Sequence, residues 1–169
     1  MVGRGLALFA RPGWTLEALP HDEPWWLPAA VLGPISFTFV GFWALTPKLA
    51  QQSYTRQATM SAERLAEIPG PVVFGGDFNA REHPAHLRLM HEMAGQERPS
   101  AYHRHRDCPR NEESEPTYFH LWKQEMPWHI DLLFAPAEWH LESVEVGTYT
   151  DYAETRLSDH VPVIATLSV

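Results

Sequence analysis

Short apolar runs alternate with prolines and glycines along the chain, and most of the runs have the length of a β-strand. Runs that are rich in Val, Ile, Phe and Trp and bounded by Gly or Pro are typical of strands. Fifteen prolines divide the chain into short elements. The strands predicted on this basis cover residues 5–10, 35–45, 72–76, 117–122, 130–135, 141–149 and 160–169.

Helical spacing of apolar residues is clearest between residues 52 and 68, where Pro69 and Gly70 then end the pattern. A second helix is predicted to start near Pro84 and to end at Gly95. The polar segment 98–116 is expected to be an irregular loop. A strand, helix, strand, helix order followed by a run of strands predicts an α/β fold, here in a single domain over residues 1–169.

The longest apolar stretch, residues 25–45, is interrupted by Pro28, Gly33 and Pro34. A membrane-spanning helix needs about 20 continuous, predominantly apolar residues. A strand, a turn and a second strand therefore describe the stretch better, and we expect no membrane association.

Composition indicates a globular protein, because 44% of the residues are hydrophobic and seven are Trp. The net charge of −8 disfavours sequence-independent binding to nucleic acid, which depends on neutralising phosphates, but it does not exclude a nuclease. Cys108 is the only cysteine, so no internal disulfide can form. Because the first residues also lack the pattern of a signal peptide, we expect a cytoplasmic location.

Three acidic residues, Asp77, Asp131 and Asp159, lie at or near the ends of predicted strands, and His160 follows the third. Asp77 and Asp159 each have an ordinary structural explanation, as a turn residue or a helix cap. Asp131 is harder to explain in this way, because an acid inside an apolar run is costly unless it has a partner. Together, carboxylates that converge at one edge of a sheet could bind a hard cation such as Mg2+, with the histidine handling a proton or a phosphate. Spacing alone leaves the structural and the functional interpretations evenly balanced.

A resemblance to a known family shifts that balance towards function. The segments VVFGGDFNA, HIDLLFAP and LSDHVPVI resemble, in the same order, the later motifs of the endonuclease/exonuclease/phosphatase superfamily. The resemblance implies a four-layer α/β sandwich, with two packed, mostly antiparallel sheets and outer helices. It also implies a phosphoesterase, such as a phosphodiesterase or nuclease, that depends on Mg2+ or Mn2+.

The resemblance also implies a role for each matching residue. Asp77 corresponds to the acid that orients or activates the attacking water, and Asn79 to the amide that holds this water and the phosphate. Asp159 corresponds to the metal-binding acid. His160 corresponds to the histidine that hydrogen-bonds the scissile phosphate, and Asp131 to the acid that orients and charges this histidine.

The N-terminal part departs from the family pattern. Members begin with a strand that carries an asparagine, a helix, and a strand that ends in a metal-binding glutamate, and this chain begins after that point. The expectation is therefore a truncated or reduced enzyme. One alternative is a catalytically impaired relative that acts as a binding or assembly module. An exposed sheet edge would favour self-association in either case.

Basic residues in the segment 98–116, chiefly Arg104 and Arg106, could bind the phosphate of a substrate. The competing interpretation is a solvated loop with no such role. The substrate itself stays open among nucleic acid, a small phosphodiester and a phosphomonoester.

Overall fold

A computed structural model describes residues 5–79 and 99–169 of the protein. The chain divides into two compact units, Met1–Arg98 and Pro99–Val169. The helix predicted after Pro84 lies outside the described residues, and the single domain over residues 1–169 stays a prediction.

The first unit contains strands that follow one another in space as they do in sequence, β1-β2-β3-β4. The pairs β1/β2 and β2/β3 are antiparallel, whereas β3/β4 is parallel and therefore needs a crossover connection. Two helices, α1 and α2, lie in that connection. The elements are β1 (Thr15–Ala18), β2 (Trp26–Leu32), β3 (Phe37–Trp43), α1 (Pro47–Ala50), α2 (Tyr54–Glu67) and β4 (Val72–Asp77).

Aromatic packing defines the core of the first unit next to the end of β4. The rings of Phe42, Phe74 and Phe78 lie 4.9–5.4 Å apart, and all three are buried. The antiparallel β2/β3 pair confirms that residues 25–45 form a strand, a turn and a strand. In the described parts of the chain, no helix is long and apolar enough to cross a membrane.

The second unit contains two antiparallel strand pairs, β5/β6 and β8/β9. Helix α3 contributes to a core made by Ala101, Tyr102 and Val144, against which the only cysteine, Cys108, packs. Burial raises the pKa of the Cys108 thiol, and the nearby charges of two glutamates raise it further. The elements are α3 (Ala101–Arg106), β5 (Tyr118–Phe119), β6 (Pro127–Trp128), β7 (Asp131–Phe134), β8 (His140–Val146), α4 (Tyr149–Tyr152) and β9 (Val163–Ser168).

The described residues form a mixed α/β fold with more than one sheet and few helices, so the predicted fold class is confirmed.

Three predicted elements were wrong in detail. Residues 5–10 form no strand, and the side chain of Phe9 is 92% exposed. An apolar run becomes a strand only where a neighbouring strand supplies hydrogen-bond partners, which its pattern alone does not reveal.

The segment 98–116, expected to be irregular, contains α3 instead. The side chain of Ser100 caps this helix by accepting a hydrogen bond from the backbone N–H of His103, and Tyr102 anchors it in the core. The strand predicted over 117–122 is only two residues long. It gives way to a 3-10 turn in which Leu121 and Trp122 have positive φ angles.

Candidate active site

The end of β4 is built for a close approach between backbones. Gly76 has a φ of +145°, and a Cβ atom there would overlap the carbonyl oxygen of Phe42 on the neighbouring strand. The next residue, Asp77, pairs with Trp43, and its carbonyl oxygen accepts a hydrogen bond from the N–H of Ala44 at 2.8 Å. Phe78 is then fully buried. Asp77 and Asn79 therefore flank Phe78, whose side chain is buried in the core.

Asp77 and Asn79 are held together by hydrogen bonds to both carboxylate oxygens. Oδ1 of Asp77 accepts from the backbone N–H of Asn79 at 2.9 Å, and Oδ2 accepts from the side-chain Nδ2 at 3.1 Å. Nδ2 also donates to the carbonyl oxygen of Ala44 at 2.8 Å. Asn79 has a φ of 45°, a left-handed conformation that asparagine tolerates better than most residues. The acid and the amide are therefore fixed relative to each other.

In the second unit, Asp131 and His160 form a hydrogen-bonded pair. Nδ1 of His160 lies 2.9 Å from Oδ2 of Asp131, and the two side chains are 32% and 20% exposed. A carboxylate can only accept, so this bond places a proton on Nδ1. The pair is thus oriented through one ring nitrogen and is still partly open to solvent.

Asp131 begins β7, and its backbone is held by a buried hydroxyl. Oγ1 of Thr117 accepts hydrogen bonds from the N–H groups of Ile130 and Asp131, each at 3.0 Å. The ring of Tyr118 lies 4.6 Å from the ring of His160, and the two residues form a β-bridge.

Asp159 is half-buried, directly before His160, and its carbonyl oxygen accepts from the N–H of Phe119 at 2.8 Å. The hydroxyl of Ser158 accepts from the N–H of His160 at 3.0 Å. Within residues 5–79 and 99–169, no group of three or more His, Cys, Asp or Glu side chains is placed to hold a metal ion. Asp159 as a metal ligand stays a prediction.

The model of the Endonuclease/Exonuclease/phosphatase family matches residues 3–160, which is most of the chain. The chain belongs to this family. The comparison with curated proteins finds no match.

Several solved structures are similar to this one. The 3′ phosphatase NExo from Neisseria, bound to product DNA hairpin, matches with a TM-score of 0.64 and 15% identity over 93% of this chain and 80% of that chain. The endonuclease/exonuclease/phosphatase from Beutenbergia cavernae has a TM-score of 0.60 and 15% identity, over 94% of this chain but 45% of that one. The human Nocturnin catalytic domain with bound sulfate anion has a TM-score of 0.59 and 15% identity, over 95% and 62%.

Arg104 and Arg106, the two arginines predicted from the sequence to bind phosphate, both make hydrogen bonds within the second unit. Arg104 donates to the carbonyl oxygen of Trp139 at 3.2 Å. Arg106 donates to the carboxylate of Glu115 at 2.7 Å and lies over the ring of Tyr102. Its hydrogen bond to Glu115 raises the pKa of Arg106 and lowers that of Glu115. Substrate binding by either arginine stays a prediction.

The structure thus brings Asp77 to Asn79 and Asp131 to His160, while the catalytic roles of these residues stay predictions. Sequence reasoning missed the residues that hold the second pair, namely Thr117, Tyr118 and Ser158. A β-branched residue in a predicted strand looks like any other strand residue. That Thr117 accepts from the two residues of the HIDLLFAP motif depends on a tertiary contact.

Proposed function

We propose that this chain is a divalent-metal-dependent phosphoesterase that hydrolyses its substrate by attack of water on phosphorus. Family membership supports a phosphoester hydrolase as the general class. The single observation that carries the proposal is the partly exposed Asp131–His160 pair, with its 2.9 Å hydrogen bond. Held by this carboxylate through Nδ1, the imidazolium form of His160 would stabilise negative charge on a phosphate oxygen.

Asp77 and Asn79 would act on the nucleophile. Hydrogen bonds from Asn79 fix the orientation of the Asp77 carboxylate. A carboxylate held in this way would orient a water molecule and take its proton as the water oxygen bonds to phosphorus. The bond from phosphorus to the leaving oxygen then breaks, and the leaving group departs with the electron pair of that bond and takes a proton from solvent water. The imidazolium of His160 would compensate the charge on the phosphate.

The proposed cation is Mg2+ or Mn2+, and Asp159 would hold it. A half-buried carboxylate is a suitable ligand for such hard cations, which bind through one or two carboxylates, substrate phosphate and water. When bound, the cation would neutralise charge on the phosphate oxygens. Its chemistry is compatible with the oxygen donors that this chain supplies.

The substrate class within the phosphate esters is the finer part of the proposal. We favour a phosphate ester of nucleic acid, because NExo is a 3′ phosphatase bound to product DNA hairpin. A 3′ phosphatase cleaves a terminal phosphomonoester, so the choice of a phosphodiester for this chain rests on the resemblance to nucleases and phosphodiesterases. Nocturnin carries a sulfate anion, which has the tetrahedral shape of phosphate. The net charge of −8 disfavours sequence-independent binding to a nucleic-acid duplex, so a small or single-stranded phosphate ester is the favoured substrate.

A cytoplasmic location stays a prediction.

The test is hydrolysis of an activated phosphodiester with Mg2+, with Mn2+ or with EDTA. We expect turnover that needs the cation and falls about 100-fold or more in Asp77→Asn, which keeps the shape but loses the base. Asp22→Asn is the matched control, because Asp22 is an exposed carboxylate of the same unit paired with Arg64. Turnover that survives in Asp77→Asn, or that is missing from the folded wild-type chain, would contradict the proposal.

A second candidate is binding of a phosphate ester without turnover. It would use the same Asp131–His160 pair to hold a phosphate and would need no bound cation. Titration of the phosphodiester into the folded chain by calorimetry separates the two candidates. Binding with no product formed, with either cation, would support the second.

A further inference from the structure

Thr117 is a fully buried residue directly before β5, and its hydroxyl lies against the backbone at the start of β7. Oγ1 accepts two hydrogen bonds, from the N–H groups of Ile130 and Asp131, both at 3.0 Å. A hydroxyl oxygen has two acceptor lone pairs, so both are used by these two donors. The side chain of Thr117 therefore fixes the backbone from which the Asp131 carboxylate projects.

The backbone of the same residue reaches the histidine side of the pair. The carbonyl oxygen of Thr117 accepts from the N–H of Val161 at 2.8 Å, and its N–H donates to the carbonyl oxygen of Trp128 at 2.9 Å. Val161 directly follows His160. One buried residue thus contacts the chain next to both members of the Asp131–His160 pair.

We propose that Thr117 is the positioning residue of the Asp131–His160 pair, an inference that rests on the proposed function for its effect on catalysis. Without its hydroxyl, two N–H groups would lose their acceptor, and the backbone at Asp131 would move to find another. The carboxylate has little freedom, because its Oδ2 atom is 2.9 Å from Nδ1 of His160. A displacement of about 1 Å in such a group can lower a rate by about 100-fold.

Three variants separate the hydroxyl from the shape of the side chain. Thr117→Val keeps the shape and removes the acceptor, Thr117→Ser keeps the acceptor and removes a methyl group, and Thr117→Ala removes both. Thr38→Val is the matched control, because Thr38 is likewise a buried threonine but lies in strand β3 of the other unit. The valine and alanine variants test the same point, so either one suffices if the other does not fold.

The decisive readout is the nitrogen chemical shifts of the His160 ring, measured above the titration range of imidazole and assigned by comparison with His160→Asn. These shifts report which ring nitrogen carries the proton. We expect the Nδ1–H form to dominate in the wild type, in Thr117→Ser and in Thr38→Val. In Thr117→Val or Thr117→Ala the two forms should mix, as they should in Asp131→Asn.

Hydrolysis gives a second readout, with kcat expected to fall about 10- to 100-fold in Thr117→Val and to recover in Thr117→Ser. Unchanged ring shifts in a folded valine or alanine variant would overturn the proposal. So would exchange of the Ile130 and Asp131 amide hydrogens at solvent rates in the wild type, a measurement that needs no variant. Altered ring shifts together with an inactive wild-type chain would retain the positioning role and refute the proposed hydrolase.

Discussion

Gly76, the residue before Asp77, allows the backbones of β3 and β4 to lie close together next to the candidate site. Its φ of +145° is reserved for glycine, and its missing side chain lets the Phe42 carbonyl approach. Gly76→Ala should lower the free energy of unfolding by about 2–4 kcal/mol, because it adds a steric overlap to the backbone strain. Urea denaturation measures the change.

Gly70→Ala is the control for that experiment. Gly70 also has a positive φ, of +81°, but nothing lies within 4 Å of the position of its Cβ atom. The effect of an added methyl group on the unfolded chain is the same in both variants and cancels. Equal losses of stability in the two variants would show that the contact with Phe42 does not matter.

Glu113 makes the stability of the second unit depend on pH in the acidic range. Burial acts to raise its pKa, but a 2.9 Å hydrogen bond with His103 and hydrogen bonds from backbone N–H groups lower it to about 2, from an ordinary value of 4.5. A carboxyl group whose pKa is lower in the folded state stabilises the protein above its unfolded-state pKa. That contribution should therefore be complete above pH 4.5 and be lost as the pH falls towards about 2.

Glu113→Gln should remove this part of the pH dependence. Urea midpoints measured between pH 4.5 and about 2 should decline less steeply in the variant than in the wild type. Glu112→Gln makes the same change at the exposed neighbouring position and should keep the wild-type slope. Parallel slopes for Glu113→Gln and the wild type would contradict the assignment.

Helix α2 is joined to the segment after β3 by one buried side chain. The side-chain oxygen Oε1 of Gln57 accepts a hydrogen bond from the N–H of Leu45 at 2.9 Å, and its Nε2 donates to the carbonyl oxygen of Leu45 at 2.7 Å. Ala44, the residue before Leu45, is the one whose carbonyl oxygen holds the Asn79 amide. The helix thus supports the backbone that fixes part of the candidate site.

Gln57→Leu should lower the free energy of unfolding by about 2–4 kcal/mol, because it leaves the N–H and C=O of Leu45 buried without their partner. Gln52→Leu is the control, since Gln52 contacts Gln57 through its backbone carbonyl oxygen. Thermal denaturation of the two variants gives the comparison. Similar melting temperatures for both would mean that the paired hydrogen bonds contribute little.

The elements that the sequence predicts well are those with a strong local pattern. The apolar spacing of α2 and the run VVFGG before Asp77 each contain enough information to place the element. Helix α3 is different, because its six residues include four basic or histidine side chains and only its Ser100 cap is a local signal. The run at residues 5–10 fails for the opposite reason, since its pattern is present but no strand forms.

The candidate site divides in the same way. Asp77 and Asn79 are two residues apart, so a local motif suffices to associate them. Asp131 and His160 meet only through the fold, and the resemblance to the family supplied that association. Thr117 acts through backbone groups of distant residues, which no pattern of side chains along the chain encodes.

At the scale of the whole molecule, self-association stays a prediction. Strand β1 lies at one end of the order β1-β2-β3-β4, and a strand at the end of a sheet can template pairing with another chain. Exposed apolar side chains such as Leu49 and Leu157 would add to the tendency. We expect the mass measured by light scattering to rise with protein concentration. A constant monomer mass over the whole concentration range would refute it.

Cys108 gives the protein a single site for a chemical label. The chain has no other thiol, and this half-buried one packs against the Ala101–Tyr102–Val144 core. A thiol-specific fluorescent reagent would therefore attach at one known position beside that core. Comparing the fluorescence of the label with and without substrate would show whether binding changes the surroundings of the core of the second unit.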